Sequence, residues 1–253
     1  MNTRRAVFPE GICNPLWMRE LSSFAMVSPV DHGFDAHAHR TRWLTERLCI
    51  CSGLPRVEAE RIADAAQFHD IGRRFVADRL MDAGLKLSNS ERLVMESHTR
   101  MGADYLAVIA KIFHIDLRLH IAIATAHHEF WDGSGYPRGL SGLSIPFAAR
   151  VVAVADAFAH WASERISHPI WAIESALAHV ESQRALHFDP LCVRALRLCA
   201  DEIRASWGEA GLPCVRTEAP AWVRFLDALM VRPRSDVDSI TPGTRPVRPA
   251  GDP

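Results

Sequence analysis

Apolar residues recur three or four positions apart along most of this chain, and breakers cut the recurrence into helix-length rows. Trp43, Leu44, Leu48 and Ile50 form a first row from Asp35 until Gly53-Leu54-Pro55 stops it. Residues 57–68 predict a second helix, which runs into His69-Asp70-Ile71-Gly72, and residues 73–87 read as a polar loop. Ser88-Asn89-Ser90-Glu91 reads as a capping box opening one long helix, with Leu93, Met95, Met101, Leu106 and Ile109 on its apolar side and His98 within it. Asp116 caps the next predicted run, residues 117–129. Ile145-Pro146 starts another helix, since proline suits the first turn, and there Val151, Val152, Val154 and Phe158 surround Asp156. Residues 170–183, residues 190–207 behind an Asp189 N-cap, and a short piece over 219–230 complete the series. No stretch alternates with the period of a strand, and no segment repeats. The fold expected is all-α.

Proline marks both ends. Residues 1–33, with Pro9, Pro15 and Pro29 around one amphipathic piece over 15–26, read as an arm or a single packing helix. Residues 34–230 read as the helical domain, and residues 231–253 as a Pro-rich flexible tail. A formal net charge of −1 argues against a nucleic-acid duplex or an anionic membrane as the main partner. The most apolar segment, residues 147–162, contains Arg150, Asp156 and His160 and is not a membrane span. Arg4 and Arg5 have no apolar run behind them, so no signal peptide is expected. Cys13, Cys49, Cys51, Cys192, Cys199 and Cys214 contain no Cys-x-x-Cys pair and read as reduced thiols of a soluble, cytoplasmic protein.

The 13 histidines change the picture. His127-His128-Glu129 closes an apolar run, and Gly133-Ser134-Gly135-Tyr136-Pro137 follows at once. Adjacent imidazoles before a breaker are costly in a core unless a metal or an anion sits against them. An unpaired carboxylate among valines, such as Asp156, also wants a cation. His69 and Asp70 would diverge by about 100° on a regular helix, but at a frayed helix end they can converge. His37, His69, Asp70, His98, His127, His128 and Asp156 together offer imidazole and carboxylate donors for two cations. Such a pair, about 3.5–4 Å apart, activates water and stabilises the leaving oxygen of a phosphoester. The residues alone fit metal-assisted phosphoester hydrolysis and a structural metal site equally well.

His37-Ala38-His39-Arg40, His69-Asp70-Ile71-Gly72, His98 with Gly102, His127-His128-Glu129 with the Gly-Ser-Gly-Tyr-Pro turn, Asp156, and His187-Phe188-Asp189-Pro190 together resemble the HD-GYP family. The resemblance covers about residues 35–198. It implies an HD-superfamily helical bundle with a binuclear metal centre that hydrolyses cyclic di-GMP to a linear dinucleotide and on to GMP. Carried onto this chain, it gives one metal to His37, His69, Asp70 and Asp156, with Asp70 bridging, and the other to His98, His127 and His128. Asp70 and Arg73 then belong to the catalytic machinery, and Arg73, Tyr136 and Arg165 to substrate binding. His39 rivals His37 two residues away, where the two cannot face the same way. His37 is preferred because Arg40 stands three residues on, as in the family. His32, His114, His120, His160, His168, His179 and His187 match no ligand position and read as surface or packing residues.

The chain departs from the family pattern at several points. Arg73 replaces the lysine after His-Asp-Ile-Gly, and a guanidinium has a different reach and donor geometry. Gly33 stands where members with three metals carry glutamate, which argues against a third metal. Residues 81–87 lack the usual Asn-Lys-Pro-Gly, Ala159 replaces a second aspartate, and Arg165-Ile166-Ser167-His168 replaces Arg-Pro-Tyr-Lys. Three readings follow. The first is a cyclic di-GMP phosphodiesterase using two divalent metals, iron or manganese before zinc or nickel. The second is a weakly catalytic regulator that binds a GGDEF-domain protein through the Gly-Tyr-Pro loop. The third is an HD hydrolase for another nucleotide. A homodimer stays open.

Overall fold

A computed structural model of the chain describes residues 36–80, 86–162 and 173–207. The arm over 1–33, the 219–230 helix, the 231–253 tail, Gly33, Arg165 and His168 lie outside the described residues. Within them the chain is helical, and its one β-contact is an isolated bridge between Arg184 and Phe188. The all-α expectation holds.

The helices are α1 (Ala36–Cys51), α2 (Arg56–Ala66), α3 (Asn89–Glu96), α4 (His98–Phe113), α5 (Arg118–Ala126), α6 (Phe147–Trp161), α7 (Ile173–Ser182), α8 (Pro190–Leu198) and α9 (Ala200–Trp207). The capping box at Ser88 is formed in full: its side chain accepts from the Glu91 N–H, and the Glu91 carboxylate accepts from the Ser88 N–H. Asp189 caps α8 through the Leu191 N–H at 2.8 Å, as its sequence position predicts.

Three expectations are corrected. The single helix predicted after Ser88 is broken at Ser97 into α3 and α4. Ser97 Oγ donates to Val94 O at 2.5 Å, His98 Nδ1 to Met95 O at 2.7 Å and Thr99 Oγ1 to Glu96 O at 3.0 Å. Side chains thus compete for carbonyls that a continuous helix would use. The run predicted over 190–207 likewise breaks, at Cys199, into α8 and α9. The loop predicted over 73–87 begins instead with tight 3₁₀ turns, Ile71–Phe75 and Asp78–Leu80.

Helix α6 is the hub. Val151, Val152, Val154, Ala155, Phe158 and Ala159 are all 0% exposed, and α1, α5, α7 and α8 pack around them. Leu44 and Leu48 of α1 are equally buried against the same core. Burying such a side chain stabilises by roughly 1.5–3 kcal/mol. This packing brings the start of α1, with His37, to Asp156 on α6. No helix among the described residues is long and apolar enough to cross a membrane.

Candidate metal centre

Helix α2 stops at Ala66, and the next residues turn tightly: His69 N donates to Ala66 O at 3.1 Å and Ile71 N to Phe68 O at 3.1 Å. His69 and Asp70 therefore leave the helical spiral, where they would diverge, and their side chains come within 3.5 Å of each other. The turn lies against α4 because Gly72 and Gly102 are both glycine. A Cβ at Gly72 would sit 1.9 Å from the His98 carbonyl oxygen and 2.6 Å from the Gly102 nitrogen. This close approach sets Asp70 beside His98.

Three imidazoles share one arrangement. His69 Nδ1 lies 2.7 Å from Ala66 O, His98 Nδ1 2.7 Å from Met95 O, and His127 Nδ1 3.1 Å from both Ile123 O and Ala124 O. A carbonyl oxygen only accepts, so each Nδ1 carries the proton and donates. Each Nε2 is then directed inward, and all three are buried without a hydrogen-bond partner. An unsatisfied buried polar atom costs about 1–3 kcal/mol, so three converging on one place call for an occupant. A histidine tied at Nδ1 to a carbonyl with Nε2 presented is the arrangement of metal-ligating imidazoles.

The donors fall into two groups that could each hold a metal ion, one of Asp70, His98, His127 and His128, the other of His37, His69 and Asp156. Within each, the donor atoms all lie within 4.8 Å of one another. Asp70 spans the groups. Its Oδ1 is 3.4 Å from His98 Nε2 and 3.6 Å from His127 Nε2, while its Oδ2 is 3.5 Å from His69 Nε2. In the second group His37 Nε2 is 2.8 Å from Asp156 Oδ1, which is 3.4 Å from His69 Nε2. The structure gathers all seven donors expected from the sequence, and it is His37, not His39, that enters.

Charge follows this arrangement. Burial pushes the Asp70 carboxyl up, but His69, His127 and His98 outweigh it and hold it well below the usual range. Burial likewise works against Asp156, and His37 and His69 bring it well below. Desolvation lowers His69, yet Asp70 and Asp156 raise it well above an ordinary histidine. His127 and His128 are lowered, chiefly by burial, and stay neutral with a lone pair available.

The turn after the histidines is built on Glu129, whose role the sequence leaves open between orienting a histidine and anchoring the turn. It anchors the turn: its buried carboxylate accepts from Arg138 N at 2.9 Å and Leu140 N at 2.8 Å. Tyr136 N donates to His128 O at 3.0 Å. The tyrosine ring stacks on His128 at 4.9 Å between centroids. Arg73 Nη1 donates to Asp70 Oδ2 at 2.9 Å, with 41% of its side chain exposed. His187 stacks on Phe130 at 3.9 Å, and Asp189 pairs with Arg150, so both serve packing. His120, with its Nδ1 buried and unpartnered, lies against Phe68 outside both groups. The carbonyls of Ala66, Met95, Ile123 and Ala124 could not be read from the sequence, because backbone acceptors carry no residue signature.

Similarity to known proteins agrees with this geometry. The chain is 38% identical over 166 residues to the cyclic di-GMP phosphodiesterase response regulator RpfG of Xanthomonas campestris, covering 66% of this chain and 43% of that protein. It is 35% identical to a cyclic di-GMP phosphodiesterase of Thermotoga maritima, covering 66% of this chain and 45% of that one. It is 34% identical to the 3′3′-cGAMP-specific phosphodiesterase 2 of Vibrio cholerae, over 68% of this chain and 33% of that one. The chain thus spans less than half the length of each. Its fold is similar to the crystal structure of a cyclic GMP-AMP specific phosphodiesterase of Vibrio cholerae, with a TM-score of 0.51, 18% identity, and 74% of this chain and 49% of that one covered. The HD domain family model matches residues 25–191. Spanning well over half the chain, that match bears out the resemblance carried by the motifs: this chain belongs to the HD domain family.

Proposed function

We propose that this chain is a metal-dependent phosphodiesterase that hydrolyses cyclic di-GMP to a linear dinucleotide and on to GMP. The observation that carries the reading is the convergence of three buried, unpartnered Nε2 atoms on the two oxygens of Asp70. His37, His69 and Asp156 would hold one divalent metal, and His98, His127 and His128 the other, with Asp70 shared. Iron or manganese suits this imidazole-carboxylate set, and zinc or nickel follows. When bound, the two ions supply Lewis acidity and an activated water. Asp70 keeps its charge and spans the groups; neutral His127 and His128 keep their lone pairs. Arg73, anchored on Asp70 and exposed toward solvent, presents positive charge to a substrate phosphate. The hydroxyl of the half-buried Tyr136, its pKa pushed up chiefly by desolvation, stays protonated and available to donate.

The relatives support cyclic dinucleotides as the substrate class and favour one specific alternative, 3′3′-cGAMP, because both kinds of phosphodiesterase are among them. A GGDEF-domain partner would meet the exposed Pro137, Arg138 and Gly139 rather than Tyr136, whose ring lies on His128. The unpaired thiols Cys49, Cys51, Cys192 and Cys199 support the cytoplasm as its compartment. Anaerobically purified protein, assayed for metal content and for turnover of cyclic di-GMP and 3′3′-cGAMP side by side, tests the reading. Two metals per chain and linear product are expected; no turnover of either nucleotide with iron, manganese, zinc or nickel overturns it.

A further inference from the structure

His69, His98 and His127 are each fixed by a backbone carbonyl at Nδ1. His128 is different: among the described residues no carbonyl holds its ring. What lies against it is Tyr136. The two rings are stacked at 4.9 Å and 30°, and the Tyr136 N–H closes the turn onto the His128 carbonyl oxygen at 3.0 Å. Tyr136 also meets His98 edge-on at 6.3 Å. Glycine precedes the tyrosine for a reason of space. A Cβ at Gly135 would fall 2.2 Å from Phe130 N and 2.5 Å from His128 O, so a side chain there would lift the turn off the histidine. The Glu129 carboxylate pins the far side of the same turn at Arg138 and Leu140.

We infer that Tyr136 is a positioning residue for a metal donor: its ring fixes the plane of the His128 imidazole, doing for that ligand what the carbonyls do for His69, His98 and His127. The inference rests on the metal-centre reading and deepens it. A ring held only by its own rotamers loses freedom when it binds a metal, whereas a pre-stacked ring has already lost it. Removing the stack therefore weakens metal held by Asp70, His98, His127 and His128 while leaving the His37, His69 and Asp156 group untouched.

Cobalt(II) titrated into metal-free protein, followed by d–d absorption and equilibrium dialysis, reads both groups without any turnover. His128→Ala identifies the binding step that belongs to the Asp70 group. Tyr136→Ala should weaken that step about 10–100-fold, the range for lost support of a metal ligand, with the other step unchanged as internal proof of folding. Tyr136→Phe, which keeps the ring, should restore wild-type affinity. Tyr136→Leu, which keeps bulk without an aromatic plane, should bind as weakly as the alanine variant. Wild-type affinity in the leucine variant, or failure of phenylalanine to rescue, overturns the positioning role alone. Absence of cobalt binding by the wild-type protein overturns the metal centre and this role with it.

Discussion

The two donor groups of this chain are assembled by different kinds of structure. His37 and Asp156 stand on α1 and α6, 119 residues apart, and meet because α1 packs on the apolar hub. His69 completes that group from the end of α2. The other group is gathered mostly by turns: Asp70 from a 3₁₀ turn, His98 from the break at Ser97, and His127-His128 from the end of α5. Its precision comes from Gly72 against Gly102, from carbonyl acceptors, and from the ring of Tyr136. Apart from His69, which shares the turn of Asp70, one group depends on a core and the other on close local contacts. Asp70, with an oxygen toward each, is where the two dependencies meet.

The largest perturbation removes that joint. Asp70→Ala should take turnover below detection and lower metal content in both groups, read by nucleotide chromatography and elemental analysis; loss of metal from one group only would show that the carboxylate is not shared. Phe158→Ala strikes the core beneath α6 and should cost ~3–5 kcal/mol in denaturant unfolding. Because Asp156 rides on that helix, the His37 group should lose affinity first.

Gly72→Ala acts on the turn instead. Its Cβ collides with backbone rather than a flexible side chain, so about 1–3 kcal/mol of stability and the affinity of the Asp70 group should fall together. Equal loss from both groups would blur the distinction between core-built and turn-built donors.

Proton release gives a finer comparison. His69 is raised well above an ordinary histidine, so metal-free protein near neutral pH holds a proton there that metal must displace. His127 and His128 are lowered and hold none to displace. Calorimetry in buffers of different ionisation enthalpy should find proton release when metal binds the His69 group. The same shifts set the metal-free stability profile. The raised His69 contributes below its unfolded value near 6.5, and that contribution is lost as pH rises through its folded value. The lowered Asp70 and Asp156 contribute above about 3.9 and lose that contribution as pH falls through their folded values. The smallest effect belongs to the surface: Ser88→Ala removes the cap of α3, should cost about 1 kcal/mol, and should leave both metal affinities unchanged.

By itself the sequence determined the helical class and most helix starts, and it singled out the seven side chains that the fold gathers into two groups. Periodicity and caps are local properties, and buried imidazoles and carboxylates are conspicuous in apolar rows. Local patterning could not show that the helix after Ser88 breaks at Ser97, because both sides of the break share one apolar period. The sequence preferred His37 to His39 through its spacing to Arg40, and the tertiary structure supplied the physical reason, since the choice depends on which face of α1 meets α6. Only the tertiary structure turned Glu129 into the anchor of a turn and gave His69, His98 and His127 their tautomer. Those outcomes are set by backbone carbonyls and amides, which every residue carries alike and which acquire meaning only when the chain is folded around them.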